Sequence, residues 1–400
     1  MNRLIGVGMA AAAVCALAAL EQVSGVRAGG PPPGIGDGEY RVLAPIESGN
    51  LLLFPVVKEN GKTPGATPFL TLDEGIKSGQ VEVTEAGRVQ GLVRPRPGSD
   101  LVARSPIGGD QVNTLVLVNN SSRPLILLAG EIVTGGKQDR VIAKDRIVPA
   151  GSDPIDLSVF CIEPGRWTES SAQFGATGKS AAQSFMVQPA VRQQAMVAKD
   201  QQGVWNSVHG SIAQMEMAAP TPGLGRAGDV TGGSRPLNTT SYAKAMQDSL
   251  VSAKVDEAAA PVMSSREQVL GKLRQEQAVG VVVAVRGEIV WADLFADTEL
   301  LSRYWTKLVR SYAAESLTEG ETHAAPTVAD AQQFLDAPNG GTETSEGEVG
   351  VYRFSELKAG RTDTFVLESL LPGAGYKVHV SRVELRGEYR RMRPQLAPPY

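Results

Sequence analysis

Cysteine and histidine are scarce: the 400 residues hold two of the first and three of the second. Two thiols cannot build a disulfide framework, and three imidazoles leave little for a His-rich metal centre. Charge of neither sign is in excess. A formal net charge of −4 lacks the basic footprint of a nucleic-acid binder and gives no pull toward an anionic membrane. The patterns G-x-S-x-G, H-E-x-x-H, C-x-x-C and the EF-hand loop are missing, so no standard hydrolase, zinc, redox or calcium element is announced. Gly175 to Ser180 ends like a phosphate-binding loop, but Gln173 stands where its first glycine belongs. Gly223, Gly225 and Gly228 fit G-x-G-x-x-G with no strand before them and no helix after. No internal repeat is present. Neither a metal nor a cofactor is expected.

What remains is globular in composition. Apolar residues make up 42% and charged residues 20%, which excludes a disordered or collagen-like chain. The N-terminus reads as an export signal: Met1-Asn2-Arg3 is positive, Leu4 to Leu20 is apolar or small, and Val26-Arg27-Ala28 offers small residues to a signal peptidase. Cleavage is expected after Ala28, placing the protein in the periplasm or outside the cell with no stable membrane span. An uncleaved anchor is the alternative, although the apolar run is at the lower limit for spanning. A lipid-modified Cys15 is disfavoured by Val14 before it. Cleavage removes Arg3, Arg27 and Glu21, moving the net charge from −4 to −5, and leaves Cys161 as the single thiol. The core alone must then hold the fold.

The pattern along the chain implies an α+β fold: a mainly antiparallel β-sheet core, a helical insertion and a small C-terminal β meander. Residues 29–39 form a Gly/Pro-rich leader, 40–317 the main domain and 318–400 a β-rich extension. Thr71, Glu74 and Gly79 mark a short capped helix. Ile155 to Glu163 alternates as a strand. Helical character from Lys179 to Met217 is expected to break at Pro189. Val279–Val285 and Glu288–Phe295 flank Arg286-Gly287, a hairpin signal. Thr298–Glu315 reads as an amphipathic helix with Leu300, Leu301, Tyr304, Leu308 and Tyr312 near one face. Arg386, Arg390, Arg391 and Arg393 form a basic run read as a solvated tail.

Residues 130–167 carry the polar motifs. Gly135-Gly136 reads as a two-residue hairpin turn, which would place Glu131 opposite Arg140 with Val133 and Gln138 on the same face. One reading is a cross-strand ion pair contributing about 0.2–1 kcal/mol. The other is a cleft in which Glu131, Gln138 and Arg140 grip a polar ligand, with Lys137 as a further contact and the guanidinium acting as a planar fork toward a small anion. Cys161 and Glu163 share one strand face, followed by a Pro164-Gly165 turn and by Arg166 and Trp167. Cys161 is either a packed core thiol or a nucleophile, and a nucleophile needs a nearby base or cation. Glu131 and Glu163 are the acid–base candidates, with Arg166 and Trp167 as ligand contacts.

The run from Leu115 to Trp167 resembles the ARPP family, whose name refers to association with ADP-ribosylglycohydrolase and rhodanese-phosphatase-superfamily proteins. The likeness rests on Asn119 or Asn120, Gly130-Glu131, Gly135-Gly136-Lys137-Gln138, Arg140, Pro149, Cys161, Glu163 and Gly165-Arg166-Trp167. It continues over Gly280 to Ser311, with Gly287, Trp291, Tyr304 and Trp305, so that it covers residues 40–317. The resemblance implies a shared fold and a genomic association with ADP-ribose and phosphate chemistry. Two functions follow. The first is a binding or structural module of the cell envelope, with Cys161 buried and Glu131 paired. The second is a hydrolase or transferase acting on a small phosphate- or ribose-bearing ligand.

Overall fold

The computed structural model describes residues 25–27, 39–59, 69–86, 115–166, 168–178, 183–219, 236–263, 266–318, 322–339, 341–371 and 376–385, with the backbone alone for 25–27 and 266–269. Residues 28–38 of the signal and leader, the glycines at 223, 225 and 228, the basic tail and Trp167 lie outside the described residues.

Two strands set the centre of the molecule. Leu51–Lys58 and Ala278–Val285 are apolar almost throughout, and such strands need cover on both faces. They pair antiparallel, with Leu53 opposite Val283 and Leu52 opposite Ala284. Leu51, Leu53, Val281 and Val283 face one core, whereas Leu52, Phe54, Val282 and Ala284 face another. Arg286 and Gly287 turn the chain with φ of 53° and 82°, giving the expected hairpin to Glu288–Phe295.

The sheet extends antiparallel from there. Its order is Gly25–Arg27, Thr342–Glu348, Tyr352–Ala359, Thr362–Ser369, Tyr376–Glu384, Glu288–Phe295, Ala278–Val285, Leu51–Lys58 and Tyr40–Val42, with Ile46–Ser48 also on Leu51–Lys58. The fold is thus α+β with a C-terminal meander, and the meander is continuous with the central sheet. Thr342–Glu348 forms a strand in a stretch that reads as polar and Gly-rich. Its sequence TETSEGE has no apolar face, so alternation could not reveal it.

The helix Val328–Asp336 covers one face through Ala331, Phe334 and Leu335. The other face carries the long helix Thr298–Ser316. This helix is buried nearly all round, not only along the expected stripe. The reason is a second layer on its far side: Tyr304 donates to the Ile126 carbonyl, Ser311 to the Val187 carbonyl, and Lys307 to Glu131.

That layer consists of three small sheets. One contains Val159–Cys161, Arg140–Ile142, Ile132–Thr134 and Gly175–Ala176. The second contains Arg146–Val148, Leu125–Leu127 and Leu70–Thr71. The third contains Ile155–Leu157, Leu115–Asn119 and Val81–Glu85. The expected continuous strand from Ile155 is therefore split. Ile155–Leu157 pairs with Leu115–Leu117, while Val159–Cys161 crosses to Arg140–Ile142. Pro189 does not break a helix; it starts Pro189–Gln193 at the first helical position, where no N–H is needed. Thr71 and Glu74 form the expected capping box of Leu72–Lys77.

Candidate functional site

Residues 135–139 connect Ile132–Thr134 to Arg140–Ile142. Gly135 and Gly136 both take positive φ, 136° and 52°, yet they open a wider loop instead of forming its tip. Val133, not Glu131, lies opposite Arg140. The expected Glu131–Arg140 pairing is thereby corrected. Side chains hold the wider loop. Asp139 accepts the Gly135 N–H at 3.0 Å, and Glu85 accepts the Lys137 N–H at 2.9 Å. Arg166 donates to the Gly136 carbonyl at 2.8 Å and to the Gly135 carbonyl at 3.3 Å.

Most of the sequence candidates meet around this loop. Arg140 stands opposite Cys161 on the neighbouring strand, and its Nη1 donates to the Gln138 carbonyl at 2.6 Å. Burial lowers the Arg140 pKa against the pull of Cys161 and Glu85. Burial raises the Cys161 thiol, with Arg140 drawing it the other way. The amide of Gln201 clips the Cys161 backbone, accepting its N–H at 2.9 Å and donating to its carbonyl at 2.8 Å. Glu163 is buried and ion-paired with Arg166 at 2.5 Å and Lys244 at 3.1 Å. Asp139 accepts from the Ser241 hydroxyl at 2.8 Å, and burial followed by Glu163 raises its pKa. Lys137 and Arg166 keep 28% and 17% of their side chains exposed and form the loop's rim. Gln138 is different. It is 0% exposed, and neither atom of its amide meets a partner among the described residues.

Glu131 belongs elsewhere. It accepts from Lys307 Nζ at 2.6 Å and from the Leu128 N–H at 2.8 Å, and Lys307 also meets Asp73 at 2.7 Å. Burial raises the Glu131 pKa while Lys307 opposes the rise. A cavity of about 320 Å³ lies beside Asp73 and Lys307, lined also by Lys77, Arg274 and Arg303. Glu131 is not on its wall.

A chain of buried charges next to Glu131 had no motif to announce it. Asp145 accepts the Ala129 N–H at 2.8 Å and lies 2.6 Å from His379 Nδ1. His379 Nε2 lies 3.2 Å from Asp293. Arg192 forks onto Asp293 at 2.8 and 3.0 Å and stacks over Trp291 at 4.3 Å. Ser381 donates to Asp293 at 2.8 Å, and Tyr312 donates to it as well. Burial works against the His379 charge, but Asp145 and Asp293 outweigh it and raise the pKa to about 9. Burial also opposes the Asp293 charge, but Arg192 and His379 hold that carboxyl well below its ordinary value. The available signal was an aspartate inside the apolar run VWADLF and a histidine inside YKVHVSRV.

Gly130 explains its place in the motif. Its φ is 93°, and a Cβ there would sit 2.5 Å from Arg192 Cγ. The Leu128–Glu131 turn is therefore clasped by Glu131 and Asp145, which take its N–H groups, and pressed against Arg192. Among the described residues no group of three His, Cys, Asp or Glu side chains is placed to hold a metal ion, and no helix is long and apolar enough to cross a membrane.

An antiparallel sheet with a helix on each face, a buried charge chain packed against Gly130 and a separate Gly-Gly-Lys-Gln loop define the class of domain. Residues 39–383 match the ARG and rhodanese-phosphatase-superfamily-associated protein domain, and the chain belongs to that family. The match runs through the meander, past the 40–317 span of the sequence resemblance. No curated protein and no solved structure matches the chain.

Proposed function

We propose that this ARPP-family chain is an exported binding module of the cell envelope. The observation that supports it is the state of the groups a catalyst would need free. The Cys161 thiol is buried and pushed toward its protonated form. Glu131 is sealed behind Lys307, and Glu163 is held between Arg166 and Lys244. Each is a structural partner and not a poised nucleophile or base. Binding is assigned to the 135–140 loop, where Gln138 and Arg140 lie inside and Lys137 and Arg166 stand at the rim.

Export accounts for the N-terminal pattern. Cleavage after Ala28 would detach Gly25–Arg27 from Thr342–Glu348 and make the latter strand the sheet's edge. Glu343, Glu346 and Glu348 along it suit an exposed edge, because charge discourages further strand pairing.

Two measurements test the reading. Mass spectrometry of protein recovered from the periplasm or medium is expected to show a chain beginning at Gly29; retention of Met1–Ala28 would remove the cleavage claim, and confinement of the protein to the cytoplasmic fraction would remove the export claim. Native protein is expected to resist Ellman's reagent at pH 7 and to release one thiol equivalent in urea. Rapid native labelling with a lowered thiol pKa would favour the catalytic reading instead.

A further inference from the structure

We infer that Gln138 is the reading group of a slot for a small molecule with a coplanar hydrogen-bond donor and acceptor side by side, the edge shared by a carboxamide and a nucleobase. The inference rests on the binding-module reading and names the ligand chemistry of the same loop.

A primary amide offers two N–H donors and a carbonyl acceptor. Buried amides in folded proteins almost always find partners, so a wholly buried one with both atoms unmatched calls for a specific cause. Looseness of the loop does not supply that cause, because the backbone around Gln138 is tied on every side. Arg140 holds the Gln138 carbonyl at 2.6 Å, Glu85 holds the Lys137 N–H at 2.9 Å, and Ser241 holds Asp139 at 2.8 Å. These bonds hold the chain on both sides of Gln138 and satisfy none of its amide's own atoms.

The chemistry of the amide selects among ligands. A bare anion would engage only the N–H donors and leave Oε1 unmatched. A bare cation would engage only Oε1. A donor–acceptor edge satisfies both atoms at once through two parallel hydrogen bonds, and a buried polar site discriminates strongly against analogues that leave one of its groups unpaired. Entry requires the loop to lift. Its outer ties are Arg166, which bonds the carbonyls of Gly135 and Gly136, and the exposed Ser170, whose N–H donates to the Gly136 carbonyl at 2.9 Å.

The test uses the full mature chain in thermal-shift and calorimetric titrations. L-glutamine and uracil are the probes, with L-glutamate and 1,3-dimethyluracil as matched controls that lack the donor. The expected result is a saturable rise in Tm with at least one probe, at least tenfold weaker with its control, and lost in Gln138→Leu. A response to glutamine alone marks a carboxamide ligand, and a response to uracil alone marks a nucleobase. Gln138→Glu, which keeps an acceptor and loses the donor, is expected to lose the response as well and guards against a folding defect in the first variant. Without probe, Gln138→Leu is expected to unfold at a higher urea midpoint than wild type. A lower midpoint, a probe response unchanged in both variants, or no saturable response to either probe overturns the inference. The thiol measurement above is independent of all three, so failure here and failure of the binding-module reading are told apart.

Discussion

Asp293 shows what a single buried charge does in this protein. It receives Arg192, His379, Ser381 and Tyr312 while fully shielded from water. Removing one member of such a set leaves the others charged and unpaired. Asp293→Ala is expected to cost about 3–5 kcal/mol in urea unfolding, and the paired change Arg192→Met with Asp293→Leu to cost less than the two single changes added together. His379 gives a pH signature. Its pKa is about 9 in the folded state against an unfolded value of 6.5. Its contribution is therefore complete below about pH 6.5 and is lost as the pH rises through 9, on the order of 3 kcal/mol in all. Denaturation curves between pH 6 and 10 are expected to show that decline in wild type and not in His379→Gln. Gln138, Arg140, Cys161 and Glu163 could be singled out from their motif. Asp145 and His379 could not, because they stand 234 positions apart and meet only in the fold.

At the scale of elements, local chemistry decided some features and neighbours decided others. Thr71 and Glu74 cap a helix within one turn of each other, and Arg286-Gly287 reverses a hairpin in two residues. Both were readable because every participant lies close in sequence. The width of the 135–139 loop is not legible from its own residues, because Glu85 and Arg166 hold it from outside the hairpin. The Leu128–Glu131 turn obeys the same rule. Gly130→Ala must tolerate a positive φ and a Cβ 2.5 Å from Arg192 Cγ. It is expected to lose about 1–3 kcal/mol, measured as a lowered urea midpoint. Gly79, whose added Cβ would meet nothing within 4 Å, serves as the control, since Gly79→Ala carries the backbone penalty alone. The long helix Thr298–Ser316 follows the same logic: its periodicity announced one buried face, and the second layer buried the other.

Across the whole molecule, the meander completes the sheet begun near the N-terminus. Tyr376–Glu384 pairs with Glu288–Phe295, placing Val383 opposite Trp291 and Val380 opposite Leu294, and it brings His379 to Asp145 and Asp293. A chain ended after Thr318 loses that strand, exposes an apolar sheet edge and leaves two buried carboxylates without their shared imidazole. It is expected to give no cooperative thermal transition and to elute as aggregate in size-exclusion chromatography. The α+β class and the hairpin, the Thr71–Glu74 cap and the meander were legible in the sequence because they depend on residue type, period and turn chemistry over short spans, and the family through the resemblance of its 115–167 motif. The partners of Glu131, the register at Arg140, the split at Ser158 and the Asp145–His379–Asp293–Arg192 chain were decided by tertiary structure. Those contacts join distant segments, and only closure of the two layers around the long helix removes the water that would otherwise solvate each charge separately.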